Sequence, residues 1–149
     1  MFYSNNRQEL REQFKLAWNK KQTGAALSPI EAIIASVVEA HPEYHQFLNL
    51  KDDALDQDFF PEQGQTNPFL HMGLHIALIE QIRADRPIGI KTLYQSLTTL
   101  LQDPHEAEHQ MIECLAESIW QAQRDGKMPN EAKYMECLQH LAQKSRTIK

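Results

Sequence analysis

Six of the seven histidines in this 149-residue chain fall into three pairs of identical spacing. They are His41 and His45 in HPEYH, His71 and His75 in HMGLH, and His105 and His109 in HEAEH; only His140 stands outside. On a helix, residues four apart lie on one face. Random placement of seven histidines among 149 positions gives about 0.3 such pairs, so three disjoint ones ask for a cause. Transition-metal ligation is the chemistry that uses them. A metal takes one nitrogen from each neutral ring and leaves the other for a hydrogen bond. Without a ligand, six buried imidazoles would need a partner for every ring nitrogen. The opposing reading is plain: each is a packed histidine with one hydrogen-bond partner, or a first-turn residue near solvent.

The third pair continues into a carboxylate one turn on, so His105, His109 and Glu113 form an i, i+4, i+8 run. The candidate metal ligands are therefore His41, His45, His71, His75, His105, His109 and Glu113. Two ions sharing six histidines, bridged by a carboxylate or water, would use every pair. Such ions sit about 3.5–4 Å apart and serve redox or hydrolytic chemistry. A single structural zinc would need only four nitrogens and would leave two rings idle. Nitrogen-rich ligation selects iron, zinc, copper or nickel over calcium or magnesium, and iron or zinc is the expectation here. Glu43 points mostly away from its flanking pair, and Glu106 and Glu108 are first-turn acids that suit a helix N-terminus. HEAEH also satisfies HExxH, with Glu106 as the would-be base of a metalloprotease. That motif belongs in the middle of an apolar helix, whereas here it opens one, and it leaves two histidine pairs unexplained. No P-loop or GxGxxG occurs, and Cys114 lies about 140° round the helix from His109, which separates the two as a nucleophile pair.

The elements that must position these residues are helical nearly throughout. Leu10, Phe14 and Trp18 mark an amphipathic helix over 5–21. Ser28-Pro29-Ile30-Glu31 is a capping box with proline at the first helical position. Its inward stripe runs Ile30, Ile34, Val37 or Val38, His41, His45 and Leu48, and Pro42 predicts a kink or a fresh helical start near His41. Residues 49–66 read as an acidic connector pinned by Phe59 and Phe60. Asn67-Pro68 starts a helix with the stripe His71, His75, Leu78 or Ile79, and Ile82, stopped at Asp85-Arg86-Pro87. A helix over 88–102 follows. Asp103-Pro104-His105-Glu106 reads as a second capping box opening a helix to about Arg124, with Gly126 as its left-handed terminus. Its inward stripe is expected to be His105, His109, Ile112 or Glu113, Ala116, and Ile119 or Trp120. A last helix spans about 130–144. The fold class is all-α, a single-domain antiparallel bundle of five to six helices over residues 1–149.

Short connections make successive helices antiparallel. The first pair ends its helix and the other two begin theirs, so all three are expected at one end of the bundle. The net charge of −5 argues against a general electrostatic surface for nucleic acid or anionic membrane. No apolar run approaches the ~20 residues that span a bilayer. Cys114 and Cys137 form no disulfide framework or CxxC motif, which suits a reducing cytoplasm. The expected partners are metal ions. The alternative is a non-catalytic helical protein with a structural zinc or packed histidines, acting through other proteins.

NPFLHMGLHIALIEQ, HPEYH and EHQMIECLAESIWQAQRDG together resemble a bacterial family of small helical proteins known only as a domain of unknown function. The resemblance runs from the first capping box to the last helix and implies no particular activity. More loosely, His109-x-x-x-Glu113 and the pairs resemble hemerythrin-type bundles, which implies two irons held by histidines and bridging carboxylates. This chain has three HxxxH pairs and one HxxxE, with no second bridging acid. The ExxH pattern of ferritin-like di-iron proteins is absent at His71 and His75, since proline stands at 68 and methionine at 72.

Overall fold

Capping chemistry sets most of the helix ends. In the computed structural model, which describes residues 7–48 and 67–148, helix α1 (Arg7–Thr23) is followed by α2 (Pro29–Glu39). Ser28 Oγ accepts from the Glu31 N–H at 3.3 Å, and Ser28 N–H donates to Glu31 Oε1 at 2.9 Å, completing the expected box. The same carboxylate takes Lys20 Nζ at 2.8 Å and ties α1 to α2. That bond, and then the Ser28 N–H, hold the Glu31 carboxyl down at about 2, against an ordinary 4.5. At Pro42 the chain leaves the helix. His41 adopts φ −126° and ψ 65°, a one-turn 3-10 segment covers Pro42–Tyr44, and α3 (His45–Leu48) restarts. A residue before proline is pushed out of the α region, so this break is local and steric.

Asn67 opens α4 (Pro68–Ala84), its Oδ1 accepting from the N–H of Phe69 at 3.0 Å and of Leu70 at 3.2 Å. The first half of α4 is buried on nearly every face, through Phe69, Met72, Leu74, His75 and Ile76. No single inward stripe describes such a helix; it is enclosed by its neighbours. Asp85, at φ +51°, ends it, and its carboxylate accepts from the N–H groups of Gly89 and Lys91, both at 3.1 Å, to start α5 (Ile90–Leu101). Helix α6 (Pro104–Asp125) begins at Asp103, whose Oδ1 accepts from His105 N–H at 3.0 Å and Glu106 N–H at 3.4 Å. The second box is a one-sided cap: Glu106 accepts from Gln110 Nε2 at 3.2 Å. Gly126, at φ +62°, closes α6, and α7 (Glu131–Ile148) follows. The described residues contain no strand, so the chain is all-α, with six helices of eleven or more residues and one four-residue turn of helix. None of these helices is long and apolar enough to cross a membrane. The acidic stretch 49–66, with Phe59 and Phe60, lies outside the described residues.

The chain divides into two compact units, one ending at Ile76 and the other beginning at Ala77, within α4. In the first, α1 packs on α2, and Phe14, Trp18, Ile34, Val38, Leu48 and Met72 form the core. Phe14 meets Phe69 edge-on at 5.7 Å, and the buried Arg11 guanidinium lies 4.7 Å over the other part of that contact, the Phe69 ring. In the second, α5, α6 and α7 pack pairwise, burying Leu97, Met111, Leu115 and Leu138. Tyr134 donates to Gln81 Oε1 at 2.7 Å, and its burial pushes the phenol well above its ordinary value.

One expectation for α6 holds only in part and another fails. Its buried residues are Ala107, Met111, Ile112, Cys114, Leu115 and Ala122, so Ile112 of the expected stripe is inside, whereas Glu113 and Trp120 are exposed and Ile119 is half-buried. The histidine stripe is thus the margin of the helix's buried face. Facing α5 and α7 at once, α6 turns its small and flexible side chains inward. The cysteines are also not free: Cys114 and Cys137 form a disulfide between α6 and α7, with Cα atoms 5.8 Å apart. The turn after Gly126 folds α7 back on α6 and brings together residues 23 apart in sequence. With the thiols paired, cysteine usage no longer speaks for a reducing compartment.

Two measurements check these local structures. A folded carboxyl held below its unfolded value adds stability above pH 4.5 that is lost as pH falls toward 2. Glu31→Gln is therefore expected to flatten the acid limb of a urea-denaturation pH profile. Closing a loop of this length stabilises by about 3 kcal/mol, so Cys137→Ser is expected to lower the unfolding free energy by that order in non-reducing buffer.

Candidate metal centre

Proline 42 splits the first histidine pair, and the two rings go to different places. The His41 N–H bonds to the Val38 carbonyl at 3.0 Å, leaving the Val37 carbonyl among the terminal acceptors of α2. The His41 ring takes that carbonyl through Nδ1 at 2.7 Å. A carbonyl only accepts, so the His41 proton resides on Nδ1, and Nε2 carries the lone pair. His45 is used otherwise. Its Nε2 donates to the Val38 carbonyl at 2.8 Å and its ring lies on Trp18, with centroids 4.6 Å apart.

The second pair stands on the unbroken, enclosed start of α4. His71 is half-buried and His75 is 1 % exposed, and their Nε2 atoms approach to 3.2 Å. His41, itself buried, meets both rings edge-on, with centroids 5.2 Å from His71 and 4.6 Å from His75. One nitrogen from each of the three lies within 4.8 Å of the others. Metal–nitrogen bonds of about 2.0–2.1 Å place tetrahedral ligands about 3.3 Å apart. The His71–His75 separation already meets that edge, and His41 needs to close by at most about 1.5 Å. Three imidazoles so placed are compatible with a metal ion.

Tyr44 completes the surroundings. Its ring stacks parallel on His41 at 5.7 Å and lies 6.1 Å from His71. Burial, and then the negative charge of Glu43, raise its phenol above 10.0. Sequence reasoning did not single out Tyr44. The usable signal was an aromatic three residues after His41, just beyond a proline, where a single 3-10 turn returns it to the same side.

In the second unit, the His105 and His109 rings meet edge-on at 4.2 Å, as their spacing requires. They differ in exposure: His105 is open to solvent, whereas His109 is half-buried. Glu113 is exposed. Of the seven candidate ligands, the first unit therefore gathers three, His41, His71 and His75. It directs His45 onto Trp18. Among the described residues no carboxylate oxygen lies in a group of three or more ligand atoms within 4.8 Å of one another, so the bridging acid that a hemerythrin-type pair of irons requires has no counterpart there.

The family described as Domain of unknown function (DUF1841) matches residues 6–140 of the chain. No curated protein and no solved structure matches it.

The hydrogen bonds assign opposite tautomers to two histidines four residues apart. Long-range ¹H–¹⁵N correlation spectra of the metal-free protein at neutral pH are expected to show His41 protonated at Nδ1 and His45 at Nε2. The reverse assignment for His41 would remove its Nε2 as a ligand atom.

Proposed function

The chain belongs to the DUF1841 family, which carries no assigned activity, and from the site we propose that it binds one transition-metal ion through imidazole nitrogens. His41, His71 and His75 are the proposed ligands, and a further protein donor completes the shell. The observation that carries this reading is the His41–Val37 hydrogen bond. A ring whose one nitrogen is fixed to a backbone carbonyl, with the other turned toward two more imidazoles, has the outer-shell support that metal-ligating histidines have.

One ion fits better than two. Among the described residues no carboxylate joins the imidazole cluster to bridge a second cation or offset its charge. A nitrogen-rich shell of four suits zinc, with iron, copper and nickel as chemically allowed competitors. When bound, such an ion supplies either a structural cross-link or a Lewis acid. The protein's part is to hold the rings neutral and oriented. Val37 orients His41, and the enclosed helix α4 orients His71 and His75. The net charge of −5 also favours a cation as ligand over a polyanion.

A second reading rests on the half-burial of His71, which leaves an edge of the cluster within reach of water. If only the three histidines of the first unit ligate, a fourth position stays open, as in catalytic zinc sites, and hydrolytic or redox chemistry becomes available.

Untagged protein loaded with zinc or ferrous iron is expected to retain one ion per chain by elemental analysis. His75→Ala and His41→Ala are expected to weaken binding by about 100-fold or more, while His45→Phe leaves it nearly unchanged. Saturating metal at a hundred times its dissociation constant is expected to stabilise the fold by about 2.7 kcal/mol. An exchangeable water on the bound ion supports the open shell, and its absence supports the closed one. Failure of the wild-type chain to hold any metal overturns both.

A further inference from the structure

His140, the histidine outside every pair, stands in the second unit beside the disulfide. A cleft of about 470 Å³ between α6 and α7 is lined by Cys114, Glu117, Cys137 and His140, together with Tyr134 and Glu136. Two spacings organise it. Glu117 follows Cys114 by three residues on α6, and His140 follows Cys137 by three on α7, so each pair lies on one helix face. The two cysteines are joined, which brings those faces against each other. Two sulfurs, one imidazole and one carboxylate thus line one opening, and His140 and Glu117 are both exposed enough to turn into it.

We propose that this cleft is a second metal site, formed when the disulfide is reduced, in which Cys114, Cys137 and His140 bind a soft divalent cation such as zinc and Glu117 or water fills the fourth position. Reduction by two equivalents of a small thiol yields two cysteine thiols and one small-molecule disulfide. Binding of the divalent ion then releases both thiol protons, because the thiolate is the ligand. Around a tetrahedral zinc, with bonds of about 2.3 Å, the sulfurs sit about 3.8 Å apart. That separation is reached by rotating the two side chains, since the Cα atoms are already 5.8 Å apart. Oxidation reverses the sequence: a disulfide-bearing oxidant re-forms the Cys114–Cys137 bond, two electrons pass to it, and the ion leaves. The site is separate from the imidazole cluster of the first unit. It uses thiolates, which that cluster lacks, and this difference is its spectroscopic signature.

The full-length chain, reduced with excess small thiol and desalted under inert gas, is titrated with cobalt(II) and then displaced with zinc(II). The expected result is a near-ultraviolet thiolate-to-cobalt charge-transfer band that saturates at one cobalt per chain, persists in His75→Ala, and is absent from the oxidised protein. His140→Ala, on an exposed position that should leave the fold intact by circular dichroism, is expected to weaken this binding about tenfold or more, and Cys114→Ser to abolish the band. No charge-transfer band in the reduced wild-type protein overturns the proposal. So does a band of equal affinity in a folded His140→Ala chain, which would reduce the site to a bare pair of thiols.

Discussion

The hydrogen bond from the His41 imidazole to the Val37 carbonyl is where backbone geometry becomes chemistry. It exists because Pro42 prevents α2 from continuing, so a carbonyl that an unbroken helix would have used internally is left for a side chain. The bond then decides the tautomer of His41, and the tautomer leaves the lone pair on Nε2. The next carbonyl, on Val38, does the same for His45 with the opposite result, tying its Nε2 down beside Trp18. One steric event thus divides a pair of identical residues into a candidate ligand and a packed side chain.

Helix α4 supports the arrangement in a different way. Most of its N-terminal surface is buried, with Phe69, Met72, His75 and Ile76 nearly fully enclosed and His71 half-buried. Fixed, desolvated imidazoles are costly to leave unpartnered and favourable to ligate, because the low dielectric strengthens whichever interaction satisfies them. The His71 and His75 Nε2 atoms, 3.2 Å apart, share a hydrogen bond at a separation close to the edge of a tetrahedral shell.

The second unit has a separate logic. Its three helices pack through Ala107, Met111, Leu115, Leu97 and Leu138, and the Cys114–Cys137 bond joins α6 to α7 on the side away from that stripe's histidine margin. The cysteines, which look unremarkable in sequence because each stands alone on its helix, come together with Glu117 and His140 only through the turn at Gly126. A redox-sensitive sulfur pair and an imidazole cluster are therefore built by two different devices, a helix hairpin and a proline break.

Much of this was legible before any tertiary structure. Helix ends at Ser28, Asn67, Asp103 and Gly126, and the break at Pro42, depend on residues within one turn of each other, so local sequence contains their causes. The all-α class follows from periodicity, and the candidacy of His71 and His75 from spacing on an unbroken helix. What spacing alone does not contain is which face of a helix ends up inside. That depends on the partners a helix meets: α6, packed against both α5 and α7, buried its Ala107–Met111–Leu115 side, leaving His105 and Glu113 in solvent. Nor does it contain the fate of each imidazole in the first pair, which turned on two backbone carbonyls, or the pairing of cysteines 23 residues apart. Sequence by itself determined where the chain is helical and which residues are able to ligate. Tertiary structure chose among them, because ligation and disulfide formation need atoms brought together to within a few ångströms, and only packing between helices sets distances of that kind.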